Sequence, residues 1–307
     1  MILNILLIVV GVAVVLWGAD RLTEGAVALA ERMKLSQFVI GLTIVALGTS
    51  MPEFFVSLTS AMKGTTDMAV GNVIGSNIFN SMLIVGCAAV VMPMAILKST
   101  VRKDIPFALF ASLLLLLMCM DGQISRFDAA VLAVMLLVFF YVSLRGARGV
   151  SVVEGAGTPL PVWKSLLYVL IGLFGLIVGS DVFVENASAL AALLGMSDAV
   201  IGLTIVAGGT SLPELATSIV AARKGDSGMA IGNVLGSNVM NILFILGFTG
   251  LISPMVISGI TWIDFSMLCI SMLLLWLFSF TRYRIERWEG VVLIALFVVY
   301  MASLIIS

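Results

Sequence analysis

Two short segments place a carboxylate beside a proline inside long apolar stretches: GTSMPE at 48–53 and GTSLPE at 209–214. An ionisable side chain at the centre of a bilayer is disfavoured by about 2.5–3.5 kcal/mol on insertion scales. The same costly residue appears in the same context in both segments, as Glu53 and Glu214, which favours a shared chemical role. The structural alternatives are a protonated glutamate bonded between helices, or a carboxylate paired with a distant basic residue. Every Lys and Arg falls at or near a predicted membrane edge, so the paired version is poorly supported.

The prolines of these segments predict a break in each helix. Pro52 and Pro213 have no N–H to donate to the carbonyls of Gly48 and Gly209, four residues earlier. We expect the freed carbonyls to face inward, because broken backbone is tolerated at membrane depth only where it lines protein or a watery cavity.

Hydroxyl and amide side chains accompany the carboxylates. Each glutamate has a threonine four residues earlier on the same helical face, with a serine after that threonine. A second motif, GNVIGSN at 71–77 and GNVLGSN at 232–238, continues to an asparagine three residues on and sets Asn, Ser and Asn four residues apart. The side chains are Thr49, Ser50, Asn72, Ser76 and Asn80, and in the second copies Thr210, Ser211, Asn233, Ser237 and Asn241.

An all-oxygen set of this kind suits hard cations. Ca²⁺ prefers oxygen ligands, Na⁺ follows the same logic, and soft transition metals do not. Hydrogen bonding between helices is the alternative for the Ser/Asn stripe. Gly71 and Gly75 form a ridge of small residues that predicts close helix approach, and for them packing alone is an equal interpretation.

The composition is that of a membrane protein with many spans. Of 307 residues, 61% are apolar and 11% are charged, against about 25% charged in a soluble domain, and the mean hydropathy is +1.22. The net charge of −1 gives no reason to expect nucleic acid as a partner. The chain has no histidine, and its three cysteines, Cys87, Cys119 and Cys269, lie singly in apolar runs as small hydrophobic residues.

Apolar runs of spanning length predict ten transmembrane helices. We place them near 2–24, 37–62, 68–93, 104–120, 127–145, 162–193, 198–222, 229–253, 263–281 and 287–306. The first run has no basic flank and no small-residue cleavage site, so we expect a retained helix. The polar stretch 146–161 is interpreted as a cytoplasmic linker between repeats at 1–145 and 162–307.

The positive-inside rule sets the orientation. With both termini outside, fourteen of the sixteen Lys and Arg residues lie on the cytoplasmic side, and only Lys63 and Arg126 lie outside. We therefore expect a multi-pass protein of the cell (inner) membrane with both termini outside.

The two halves are internal copies. Residues 41–86 align without gaps to 202–247 at an offset of 161, with 26 identities in 46 positions. Outside that block, Gly18, Asp20 and Glu24 match the residues 161 positions later. Because each half has an odd number of helices, the second enters from the opposite side, and the substrate site is expected near the midplane where the copies meet.

These paired motifs, GTS-x-PE and GN-x-x-GSN, resemble the alpha-repeats of the cation/calcium exchanger superfamily. The chain is more similar to prokaryotic sodium/calcium exchangers than to the calcium/proton branch, whose first block usually reads closer to GNATE. The resemblance implies an all-α membrane protein of ten helices in two inverted five-helix repeats, with long helices 1 and 6 sliding across a rigid bundle of eight. It maps an ion cage onto Ala46, Thr49, Ser50, Glu53, Ser76, Asn80, Ala207, Thr210, Ser211, Glu214, Ser237 and Asn241, with Ala46 and Ala207 acting through their carbonyls.

The chain departs from the family pattern at Asn241, where several relatives carry Asp. Two carboxylates match one Ca²⁺ but leave three Na⁺ with one excess positive charge, so the stoichiometry and any potassium dependence stay open; we favour potassium independence. The linker has no room for large calcium-sensing domains.

We therefore predict an antiporter in which Ca²⁺ and Na⁺ compete for one cage, with no resident cofactor and no obligate protein partner. A calcium/proton exchanger or a potassium-dependent sodium/calcium exchanger is the nearest alternative, and an ion channel is a second. Enzymatic activity is not expected, since there is no histidine and no second polar constellation to hold a substrate. Asp20, Glu24, Asp181 and Glu185 are interpreted as solvated helix ends, with a role in admitting ions as the alternative.

Overall fold

The helices of the first half follow the predicted apolar runs closely. The computed structural model describes residues 1–33, 36–146, 160–193 and 207–306. The first-half helices are α1 Ile2–Met33, α2 Gln37–Thr49, α3 Met51–Met62, α4 Thr66–Val91, α5 Thr100–Asp121 and α6 Arg126–Gly146. The first helix continues beyond the predicted end at 24, because its polar last turns interrupt the apolar pattern and not the helix.

The second half repeats this order. Its helices are α7 Val162–Leu193, α8 Ala207–Thr210, α9 Leu212–Arg223, α10 Ser227–Ile252, α11 Trp262–Ser279 and α12 Arg287–Ile306. Eight of the described helices are long and apolar enough to span a membrane. The pair α2 and α3, bent by 44°, is long and apolar enough only when taken together, as a broken span or a re-entrant loop. Residues 147–159 of the predicted linker and 198–206 of the seventh predicted segment lie outside the described residues.

Two short antiparallel ribbons tie loops of opposite halves together. Strand β1 (Met94–Ala95) pairs with β4 (Arg284–Ile285), and β2 (Gln123–Ile124) pairs with β3 (Met255–Val256). Adding 161 to β1 gives β3, and adding 161 to β2 gives β4. The registers agree as well, because Met94 faces Ile285 and Met255 faces Ile124. The two ribbons are therefore equivalent under the 161-residue offset of the sequence repeat.

The most buried helices lie at the centre. In α4 and α10, 72% and 78% of the most apolar 18-residue stretch is buried, against 22% of the equivalent stretch in α1. Helix α1 packs mainly along α7, and this pair exposes much of its apolar surface. The motif GN-x-x-GSN, at 71–77 and 232–238, thus lies on the two most buried of these spanning helices.

Candidate cation-binding site

The two helix breaks deliver the glutamates to the centre of the protein. Helix α2 ends before Ser50, which has φ −83° and ψ 5°, and α3 begins with Pro52 in its first turn. Ser211 has the same role before α9, with φ −90° and ψ 5°. Proline is tolerated in a first turn because its missing N–H would have no partner there. Glu53 and Glu214 lie in these first turns, where the helix dipole favours a carboxylate.

One of the two carbonyls that the prolines free has a partner on another helix. The Gly209 carbonyl accepts a hydrogen bond of 2.5 Å from Ser180 Oγ on α7, which satisfies one of its two lone pairs. The same bond ties α7 to the broken helix.

Each glutamate is bound by the serine of the opposite repeat. Ser50 Oγ donates to Glu214 Oε1 over 3.2 Å, and Ser211 Oγ donates to Glu53 Oε1 over 3.1 Å. All four residues are buried, with at most 1% exposure. The carboxylates are therefore held in place by reciprocal bonds that cross between the two repeats.

The remaining hydroxyl residues surround this pair. Ser76 Oγ lies 3.2 Å from Ser211 Oγ, and Ser237 Oγ lies 3.4 Å from Glu214 Oε1. Thr49 Oγ1 donates over 3.4 Å to the carbonyl of Ala46 in the same helix. Thr210 is buried. Ala207 is the first residue of α8. The structure thus brings the predicted serines of both copies to the two glutamates.

The last two predicted ligands, Asn80 and Asn241, lie in a local feature that the sequence does not signal. Wide π-helical turns cover Phe79–Ile84 in α4 and Met240–Leu246 in α10. Such turns are rare and occur often at functional sites. Nothing in the spacing of the motif predicts them.

Four buried oxygens of these residues have no hydrogen-bond partner in the described part of the protein. They are Glu53 Oε2, Glu214 Oε2, Asn80 Oδ1 and Asn241 Oδ1. Buried polar atoms are nearly always satisfied, and leaving them unpaired is costly. A carboxylate and an amide from each repeat form this set, which has the oxygen chemistry that a hard cation requires.

The set carries two formal negative charges. Among the described residues no Lys or Arg pairs with Glu53 or Glu214, and no cluster of three His, Cys, Asp or Glu residues forms. The arrangement can therefore neutralise a divalent cation or two monovalent ones.

The first amides of the predicted stripe, Asn72 and Asn233, form hydrogen bonds between helices behind the glutamates, which is the alternative stated for the stripe. Asn72 Nδ2 donates to Ser57 Oγ over 3.0 Å and to the Glu53 carbonyl over 3.3 Å. Asn233 does the same with Ser218 Oγ, over 3.0 Å, and the Glu214 carbonyl, over 3.4 Å. Sequence reasoning missed the two serines, although they are identical in both copies.

The predicted glycine ridge packs closely in the second repeat. A Cβ on Gly232 or Gly236 would collide with the backbone carbonyls of Phe38 and Leu42. The equivalent neighbours of Gly71 and Gly75 are residues 199–203, which lie outside the described residues.

The model of the family "Sodium/calcium exchanger protein" matches residues 3–145 and 164–306. The chain is 36% identical to the inner membrane protein YrbG of Escherichia coli, over 99% of this chain and 97% of the other. It is 32% identical to the sodium/calcium exchanger MaX1 of Methanosarcina acetivorans, over 98% of each chain. Its structure is similar to that of the sodium-calcium exchanger NCX_Mj soaked with Na⁺ and Ca²⁺, with a TM-score of 0.88, 33% identity and 99% of each chain covered.

Proposed function

Since the chain belongs to the sodium/calcium exchanger protein family, we propose that it is an antiporter exchanging Ca²⁺ for Na⁺. The exchange uses one central cage formed by the predicted ligands of the two repeats. The observation that carries the proposal is the set of four buried, unpartnered oxygens from Glu53, Asn80, Glu214 and Asn241. One Ca²⁺ bound to these oxygens would satisfy all four and balance both carboxylates.

Competition for the cage gives the coupling. Ca²⁺ and Na⁺ use the same oxygens, so one must leave before the other binds, and the helices reorient with the cage loaded. The peripheral pair α1 and α7 moves across the central bundle to open the cage to each side in turn, as the inverted repeat favours. We place both termini outside, in the cell membrane, with 1–145 and 162–307 as the repeats and 146–161 as the linker.

The test of the counter-ion is Ca²⁺ uptake into proteoliposomes that contain the purified protein. We expect uptake under an outward Na⁺ gradient, with or without K⁺, and none under a pH gradient alone. Uptake driven only by the pH gradient would instead support the calcium/proton alternative. Ion flux far faster than a transporter cycle would support a channel.

The test of the site is the pair of variants Glu53→Gln and Glu214→Gln. Each removes half of the charge of the cage and should abolish Na⁺-driven Ca²⁺ uptake while the protein still inserts and folds. Glu286→Gln is the matched control, because Glu286 pairs with Arg284 at a ribbon and takes no part in the cage. Normal transport by either cage variant would refute the assignment.

A further inference from the structure

Asn77 contacts one of the cage residues from behind. Its side chain is completely buried and lies on α4, between the predicted ligands Ser76 and Asn80. Asn241 Nδ2 donates to Asn77 Oδ1 over 3.0 Å, and Asn77 Nδ2 donates to the Asn238 carbonyl over 3.2 Å. The four-residue spacing of Asn72, Ser76 and Asn80 does not include Asn77, so the motif alone does not predict a role for it.

Only one assignment of the amide nitrogen and oxygen atoms satisfies these two hydrogen bonds. A backbone carbonyl can only accept, so Asn77 must present its nitrogen to Asn238 and its oxygen to Asn241. Asn241 must then present its nitrogen to Asn77, which leaves Asn241 Oδ1 as the atom without a partner. The fixed carbonyl thereby sets which end of Asn241 is turned away from Asn77.

We propose that Asn77 is a positioning residue that presents the carbonyl oxygen of Asn241 to the transported cation. This inference rests on the proposed function. Without Asn77, Asn241 is free to rotate its amide, and an N–H directed at a cation would repel it. The asparagine is suited to this position because it donates and accepts at once.

The repeat supplies a matched control. Asn238 is the equivalent of Asn77, is 2% exposed, and donates to Ser81 Oγ over 2.7 Å and to Met272 Sδ over 3.2 Å. Its Nδ2 therefore bonds Ser81 and Met272 and no predicted ligand, and its Oδ1 has no partner among the described residues. Only its backbone carbonyl contacts Asn77.

The experiment compares Asn77→Ala with Asn238→Ala in two assays. In Na⁺-driven uptake we expect Asn77→Ala to raise the KM for Ca²⁺ about five- to tenfold, the equivalent of one hydrogen bond, with a nearly unchanged maximal rate. Asn238→Ala should raise the KM less than Asn77→Ala does, because in this structure its side chain holds no predicted ligand. In the second assay, added Ca²⁺ should raise the Tm of the purified protein. Only Asn77→Ala should need a higher Ca²⁺ concentration than the wild type for the same rise.

The outcomes separate the two proposals. If Ca²⁺ stabilises the wild type and Asn77→Ala equally, or if both variants raise KM alike, Asn77 has no positioning role and the proposed function stands. If neither Ca²⁺ nor Na⁺ stabilises the wild type, the cage itself is wrong and both proposals fall.

A separate observation concerns the contact between the peripheral helices and the bundle. Lys224, directly after α9, lies 2.5 Å from Asp20 Oδ1 on α1 and donates to the Asp20 carbonyl over 3.3 Å. Arg21 also pairs with Asp20 and Glu24 and stacks on Tyr168 of α7. Asp20 and Glu24 were predicted at a solvated helix end, but they lie within α1, which continues to Met33. Asp20 is ion-paired to the bundle.

The same pair of residues exists on the opposite face. Subtracting 161 from Lys224 gives Lys63, directly after α3, and adding 161 to Asp20 gives Asp181 on α7. Lys63 and Asp181 are exposed, and neither forms an ion pair with another described residue. One of two equivalent pairs is therefore closed while the other is open.

From this asymmetry we infer a pair of alternating latches. If the two repeats exchange conformations, as alternating access requires, Asp181 meets Lys63 and Asp20 leaves Lys224. Each bridge then stabilises one of the two access states. Bridges with this exposure contribute little individually, so they bias the equilibrium without locking it.

The test uses the equivalent variants Lys224→Gln and Lys63→Gln, with hydrogen exchange as the readout because it does not depend on transport. We expect Lys224→Gln to raise exchange around Asp20 about two- to fivefold and to lower it around Asp181. Lys63→Gln should do neither, because Lys63 forms no ion pair with another described residue, and Lys224→Arg, which keeps the charge, should retain the wild-type pattern. Equal responses to both glutamine variants, or a Lys224→Arg pattern like that of Lys224→Gln, would overturn the latch.

Discussion

At the scale of single residues, the two glutamates are supported by equivalent amides with unequal surroundings. Asn72 bonds Ser57, and Asn233 bonds Ser218 in the same way, but Asn233 also donates to Thr217 Oγ1 over 2.9 Å. The equivalent of Thr217 in the first repeat is Val56. The first copy therefore shows which bonds the arrangement needs and which it does not.

This comparison predicts different effects of two substitutions. Ser57→Ala removes an acceptor of the buried Asn72 amide and should lower the free energy of unfolding by about 1–3 kcal/mol. Thr217→Val reproduces the first repeat and should cost less than about 1 kcal/mol, because Asn233 keeps Ser218. Thermal melts of both variants in one detergent test this, and an equal loss in the two would contradict it.

The repeat is also the reason that so much of the site could be predicted. Identity at a fixed offset singled out Glu53 and Glu214 without any structure, because random apolar helices do not duplicate costly residues. It did not single out Asn77, which is equally duplicated, because the assumed four-residue period placed Asn77 off the polar face. The amide directions depend on contacts between distant helices, which spacing along one helix does not encode.

At the scale of secondary structure, the crossing of α1 and α7 depends on glycines. A Cβ on Gly18 would lie 2.8 Å from Leu176 N and 2.9 Å from the Gly172 carbonyl, and one on Gly11 would lie 2.9 Å from the Gly179 carbonyl. Adding 161 to Gly11 and Gly18 gives Gly172 and Gly179, so the repeat builds both halves of the contact. Small residues allow such backbone contact between helices in a membrane.

We expect Gly18→Ala to separate these helices, because the new methyl group meets backbone that has no side chain to move aside. Overpacking of this kind costs about 1–3 kcal/mol, and the rate of Na⁺-driven Ca²⁺ uptake should fall with it. Ala13→Val on the exposed face of α1 is the control, with near wild-type melting and uptake. Wild-type behaviour of Gly18→Ala would show that the crossing is looser than the contacts indicate.

Helix boundaries were predictable only where a residue type decides them. The prolines predicted the break that the structure shows at Ser50, since a missing N–H has a local effect. The π-helical turns that contain Asn80 and Asn241 were not predictable, because they depend on how α4 and α10 pack at the centre.

At the scale of the whole molecule, symmetry and charge together determine what can cross the membrane. The two ribbons and the reciprocal serine bonds relate the halves by one inverted operation. The charges of the described cage follow the same symmetry, since each repeat supplies one carboxylate and one asparagine amide. A cage with two negative charges is neutral with one Ca²⁺ or with two Na⁺, whereas three Na⁺ would leave one positive charge in a medium of low dielectric.

We therefore expect the wild-type protein to exchange two Na⁺ for each Ca²⁺ and to move no net charge. A Ca²⁺ concentration jump on Na⁺-loaded vesicles adsorbed to a solid-supported membrane should give no sustained current, while Ca²⁺ uptake is measured in parallel. Asn241→Asp adds a third carboxylate, which Asn77 can accommodate by turning its amide away from the Asn238 carbonyl, and should produce a current with Na⁺-dependent uptake. Asn80→Asp adds the same charge from the other repeat and should act alike if charge alone decides. A sustained current in the wild type would show that three Na⁺ are carried despite the excess charge, and would place the compensation outside these two glutamates.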